Sequence, residues 1–102
     1  MEQRHPLSGL RVLEMGSRTT APYIGKLLTD AGADVLKLES PVGDPFRTWS
    51  ASGASIPDGE DAAWWRFLNA GKKSTTIDLE TDEGKDQFHN LVEETDLILD
   101  DH

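Results

Sequence analysis

Two side chains of opposite charge, Lys37 and Glu39, stand near the end of the strand-like half of GADVLKLESPVGDP (Gly32 to Pro45), which then breaks into a loop with two prolines. An acidic residue at a strand end, roughly 20 residues past the turn after a first strand, is where a carboxylate accepts the ribose hydroxyls of a nicotinamide dinucleotide. Glu39 has about that spacing. The first turn, GSRTTAP, lacks the second and third glycines that let a backbone approach a pyrophosphate and a helix approach a strand. Spacing alone therefore leaves two readings open, a nucleotide site and a strand end emerging into solvent. Other reactive groups are sparse. His5, His89 and His102 are too scattered for a metal site, and the absence of cysteine removes thiolate nucleophiles, thiolate ligands and disulfides. Asp100, Asp101 and His102 make an acid–imidazole group, for which a solvated chain end is the expectation rather than catalysis.

Alternating elements are expected to position these groups. RVLEM (Arg11 to Met15) is a short apolar run closed by Gly16, and Ile24, Leu27, Leu28 and Ala31 then recur at i, i+3, i+4, i+7, the stripe of an amphipathic helix. Pro22 is tolerated in the first helical turn, and Gly32 suits the left-handed residue that stops the helix. Val35 to Glu39 reads as a second strand buried on both faces. Ser40 to Asp61 turns to Ser, Gly, Pro and Asp and predicts a long surface excursion. In AAWWRFLNAGKK a short helix follows, with Trp64 expected in the core, Trp65 undecided between core and ligand stacking, and Gly71 as the stop before the strand STTIDL. Thr81 caps a helix carrying Phe88, Leu91 and Val92, and Leu97 to Leu99 forms the last strand. The expected fold class is α/β, an open, mainly parallel Rossmann-like sheet of about four strands with flanking helices and right-handed crossovers.

At 102 residues the chain suits one domain or part of a larger one. Its formal net charge of −9, with no concentrated basic patch, argues against a nucleic-acid partner. MEQRHPLSG lacks the apolar run of a signal peptide and no segment is long enough to span a membrane, so a cytoplasmic location is expected.

PLSGLRVLEM (Pro6 to Met15), APYIGKLLTDAGADVLKLESPVGDPFR (Ala21 to Arg47), LNAGKKSTTIDLETDEGK (Leu68 to Lys85) and ETDLILDD (Glu94 to Asp101) together resemble the N-terminal segment of the class III coenzyme A transferases, a family that includes formyl-CoA and carnitine-type CoA transferases and has α-methylacyl-CoA racemase as a relative. The resemblance covers nearly the whole chain, with a looser stretch from Thr48 to Ala63. It implies that residues 1–102 are the CoA-binding N-terminal part of a transferase domain acting on small-molecule acyl-CoA, without metal. Arg18 and Thr19 would contact CoA after the first strand, Ser40 after the second, Ile77 and Glu80 after the third, and Asp101 and His102 after the fourth. Basic groups for the CoA phosphates would come from Arg18, Lys37, Arg47, Lys72 and Lys73, with Lys72 and Lys73 as the family's basic pair at the third strand. Three positions depart from the family pattern: Ser40 for arginine, Glu80 for a basic or neutral group, and Asp101-His102 for an Asn-Phe-like pair. The family's nucleophile is an aspartate that attacks acyl-CoA to give an anhydride and then an aspartyl-CoA thioester. In register it falls beyond residue 102, as do the histidine and aspartate of the racemase branch. The resemblance further implies a homo-oligomer, or completion by the rest of a transferase chain. The alternatives are a racemase-type fragment and a non-catalytic Rossmann-like nucleotide-binding or interaction module.

Overall fold

The computed structural model describes residues 5–16 and 18–101. Four strands, β1 (Arg11–Glu14), β2 (Asp34–Glu39), β3 (Lys73–Thr76) and β4 (Leu97–Leu99), alternate with helices α1 (Thr20–Asp30), α2 (Ala63–Asn69) and α3 (Asp82–Glu93). All pairings are parallel and the sheet order is β3-β2-β1-β4. This is the expected α/β architecture, with β1 and β2 central.

The expected stops and caps are present. Gly32 and Gly71 take φ of 104° and 84°, the left-handed region that ends a helix without steric cost. The Thr81 hydroxyl accepts the Gly84 amide at 2.9 Å, capping α3. β3 is shorter than STTIDL because the chain turns out of the sheet after Thr76. Ile77 still donates its amide to the Glu39 carbonyl at 3.0 Å. The Ser40–Asp61 excursion contains one 3₁₀ turn, Pro45–Thr48.

Strand alternation divides the core between the two sheet faces. Leu13, Leu38 and Ile77 are buried, packed against half-buried Leu36 and against Phe88, Leu91 and Val92, the stripe of α3. Val12, Ala33 and Val35 are buried on the other face, packed against half-buried Leu7 and Leu10 and against Leu28 of α1. Two expectations fail here. Ile24 and Leu27 are exposed, and α1 turns Ala21, Pro22 and Gly25 inward instead. Trp64 is half-buried, stacked on exposed Phe67 at 5.7 Å, and Leu68 is the core residue of α2.

β4 is tied to β1 at its start. Asp96 accepts the Arg11 amide at 2.9 Å and the Arg11 guanidinium at 3.4 Å, and donates its own amide to the Arg11 carbonyl at 2.8 Å. The bond from the Arg11 amide, then that from its guanidinium, holds the Asp96 carboxyl below its ordinary value. A depressed carboxyl adds stability above its unfolded value, about pH 4, and loses it as the pH falls through the lowered folded value. Asp96→Asn is therefore expected to melt earlier than the native chain at neutral pH, the gap closing in acid. Thermal midpoints taken across pH check this, and a pH-independent gap would show that the charge is not responsible.

Candidate functional site

On the α1 face the central strands are apolar at their start, Val12 and Val35, and ionic toward their carboxyl ends. Glu14 and Lys37 are direct partners in the β1–β2 register. Glu14 is 0% exposed and Lys37 1%. The Lys37 ammonium lies 3.0 Å from Glu14 Oε2 and 2.9 Å from Asp44 Oδ2, and donates to the Gly16 carbonyl at 3.3 Å. The Lys72 ammonium lies 2.6 Å from Glu14 Oε1 and donates to the Pro22 carbonyl at 2.8 Å and Asn69 Oδ1 at 3.0 Å. Two ammonium groups and two carboxylates thus balance inside the protein, as buried charge requires. Burial pushes the Lys72 ammonium below its ordinary pKa, against the opposing pull of Glu14. The inward Gly25 of α1 leaves the room this network needs.

A second charged cluster stands at the end of β2. Arg47 holds Glu39 through Nε at 3.1 and 3.2 Å and Nη2 at 3.1 Å, reaches Asp61 through Nη1 at 2.9 Å, and lies 3.8 Å over the Trp65 ring. Burial works against its charge, but the bonds to Glu39 and Asp61 prevail and raise its pKa. Trp65 is thus an internal cation–π partner.

Above the carboxyl ends of β1, β2 and β3 lies a groove of about 610 Å³. Its floor is Met15, Leu38 and Ile77, and its walls are the loop Ser40–Val42 and the turn Asp78–Glu80. A smaller recess of about 230 Å³ shares Ser40 and Val42 with it and extends toward Gly16, Lys37 and Asp44. Ligands of open parallel sheets bind at this edge, where loops and helix N-termini gather. The groove's lining includes three carboxylates, Glu39, Asp78 and Glu80, and no lysine or arginine. Its apolar floor and hydrogen-bond acceptors suit a base and a ribose better than a phosphate.

The structure separates the candidate residues into groups. Ser40, Ile77 and Glu80 line the groove together. Arg18 and Thr19 are exposed in the β1–α1 turn, Arg18 with φ of 68°, the only described non-glycine residue in the left-handed region. Asp101 accepts the Ala21 amide at 3.2 Å, so a carboxylate of the chain itself occupies the head of α1, where Rossmann-type sites receive an anion. Lys37 and Lys72 have their ammonium groups buried in the ionic network. Lys73 is exposed but level with Leu36, three residues short of the Glu39–Thr76 pair that closes the β2–β3 ladder. His102 lies outside the described residues. The role of Asp44 was missed from sequence. Its signal was a proline-flanked loop acid close after a strand lysine. Among the described residues no cluster of His, Cys, Asp and Glu could hold a metal ion, and no helix is long and apolar enough to cross a membrane.

Comparison with known proteins agrees with the α/β fold. The chain is 39% identical over 100 residues to the succinate–glutarate CoA-transferase of Agrobacterium fabrum, covering 95% of this chain and 25% of the relative. It is 43% identical over 98 residues to the succinyl-CoA–D-citramalate CoA-transferase of Chloroflexus aurantiacus, covering 92% and 23%. Among solved structures, a CAIB/BAIF family protein from Brucella suis superposes with a TM-score of 0.83 at 41% identity, covering 94% of this chain and 25% of that one. The chain thus spans about a quarter of the length of these relatives. The sequence model of CoA-transferase family III matches residues 7–101, and with these identities the chain belongs to that family.

Proposed function

We propose that residues 1–102 form the CoA-binding N-terminal part of an enzyme that moves CoA between an acyl-CoA and a carboxylic acid, its nucleophilic aspartate lying outside this segment. The observation that carries this reading is the groove itself. Three residues from two separate strand ends, Ser40, Ile77 and Glu80, meet in one cavity at the sheet edge that receives nucleotides. These are positions where the family resemblance expects CoA contacts. In this reading the base and ribose of CoA enter the groove, and the phosphates pass over Arg18 and Thr19 on the outside of the α1 amide that Asp101 holds. The left-handed Arg18 supports that role, because backbone strain of about 1–3 kcal/mol persists where the surroundings demand it and clusters at ligand clamps. Lys37 and Lys72, expected from sequence to hold phosphate, are left out of the contact set because their ammonium groups face inward. The complete enzyme is proposed to work on acyl-CoA in the cytoplasm as a homo-oligomer, or once this segment is joined by the rest of a transferase chain.

Calorimetric titration of the chain with CoA, 3′-dephospho-CoA and NAD, at fixed salt because exposed charges are screened, tests the reading. CoA is expected to bind, and NAD to bind more weakly. Arg18→Ala should weaken CoA by about 1.5–3 kcal/mol, roughly tenfold or more, the worth of a charge-assisted hydrogen bond. Lys73→Ala should leave the affinity within about threefold. Tighter binding of NAD would favour the nicotinamide reading, and no binding of any of the three would favour a non-catalytic interaction module.

A further inference from the structure

We propose that Lys37 and Asp44 are positioning residues for the groove: the buried ammonium of Lys37 latches Asp44 and thereby sets the wall formed by Ser40 and Val42. This inference rests on the proposed reading of the groove as the CoA site.

The loop between β2 and the 3₁₀ turn has two fixed ends. Its first end, Glu39, is held by pairing with Thr76 in β3 and by Arg47. Its second end, Asp44, spends one carboxylate oxygen on the Phe46 amide at 2.9 Å and the other on Lys37 at 2.9 Å. Lys37 itself sits two residues before Glu39, within β2 and under α1. The loop therefore folds back over the strand it has just left, and an internal charge pair closes it. Between the anchors the chain makes one hydrogen-bonded turn with Pro41 at its second position. Gly43, at φ of 81°, donates to the Ser40 carbonyl at 2.9 Å. At the tip Val42 is 94% exposed, an apolar side chain lining both the groove and the recess with no cover of its own. The turn bond sets the loop's own shape and the Arg47–Glu39 bonds close the chain three residues beyond Asp44, but an exposed valine cannot hold the turn over the groove, and in this inference the latch does. The same ammonium reaches the Gly16 carbonyl at the end of β1, so one buried charge registers the two turns that frame the site.

The test is a pair of variants in the 102-residue chain, measured by CoA titration and thermal melting. Lys37→Met combined with Asp44→Asn removes both charges of the latch and leaves Glu14 paired with Lys72, so no unbalanced buried charge remains. Asparagine can still cap the 3₁₀ turn. CoA is expected to bind about tenfold more weakly to this variant. Val42→Ala should cost about threefold in the native chain and nothing further in the latch variant, because the valine no longer meets the ligand. That non-additivity separates positioning from a general loss of stability. Additive losses, or unchanged affinity in the latch variant, would overturn the inference. Should the latch variant fail to fold, Asp44→Glu carries the same comparison: the roughly threefold effect of Val42→Ala is expected to vanish in the Asp44→Glu background whatever its melting temperature, and additive losses overturn the inference. If the native chain binds no CoA, the functional reading fails on its own. Amide exchange then decides the latch, with about tenfold lower protection expected at Gly43 but not at Leu13 or Val35, and equal protection at Gly43 overturning it.

Discussion

Glu14→Gln is expected to remove a large share of the stability of this chain. Glutamine keeps the shape but not the charge, so the ammonium groups of Lys37 and Lys72 would share Asp44 as their remaining anion. Taking one partner from a buried ionic group costs about 3–5 kcal/mol. A domain of this size has about 5–15 kcal/mol in total. Charge reversal at Lys72, which on sequence grounds would test phosphate binding, should likewise unfold the protein by setting a second carboxylate against Glu14. Urea unfolding at neutral pH measures the loss. A Glu14→Gln chain within about 0.5 kcal/mol of the native would show that the two ammonium groups find other partners.

The second large effect is expected at Gly25. In an ordinary helix interior, alanine is favoured over glycine by about 1 kcal/mol. Here an added methyl would run into Glu14 Oε1 and come within 3.1 Å of both Glu14 Cδ and Lys72 Nζ. Those atoms cannot give way, because two ion pairs and the β1 backbone fix the carboxylate. Overpacking of this kind costs about 1–3 kcal/mol, enough to reverse the helix preference and leave Gly25→Ala less stable than the native chain. A stabilised Gly25→Ala variant would mean that α1 lifts off the sheet freely. The same unfolding measurement reads either outcome.

These two positions also mark where the sequence is legible and where it is not. Helix ends at Gly32 and Gly71 and the Thr81 cap could be read because each depends on one residue's own conformational preference or hydroxyl. The last strand, Leu97–Leu99, was legible as an apolar run, and the parallel sheet followed from alternation of strands and helices. The inward face of α1 could not be read from its large apolar residues. Ile24 and Leu27 carry the helical period, yet the helix lies on charged side chains and turns its small residues toward them. Lys37 read as a strand-end charge for the same reason: its partner Glu14 is 23 residues away and becomes its neighbour only through the β1–β2 register. Parity was the available clue. Glu14 shares the face of Val12, and Lys37 that of Val35, so both point at α1. In the candidate site, Ser40, Ile77 and Glu80 were placed by family resemblance, and their meeting in one groove depends on strand order.

Strand order also fixes a sequence of events during synthesis. β1 is central, yet its neighbour on one side is β4, and the Arg11–Asp96 tie between them spans 85 residues. The Asp101 carboxylate that occupies the head of α1 arrives 80 residues after Ala21. At translation rates of about 5–20 residues per second, that interval is roughly 4–16 s, far longer than a helix or a local loop takes to form. Once β2 is complete, for the greater part of that interval, a nascent chain can hold α1 against β1 and β2 while one edge of β1 stays unpaired and the first turn of α1 lacks its acceptor. The half-built sheet is thus a template for any passing strand, and the interval before residue 101 emerges is when this chain most depends on being shielded.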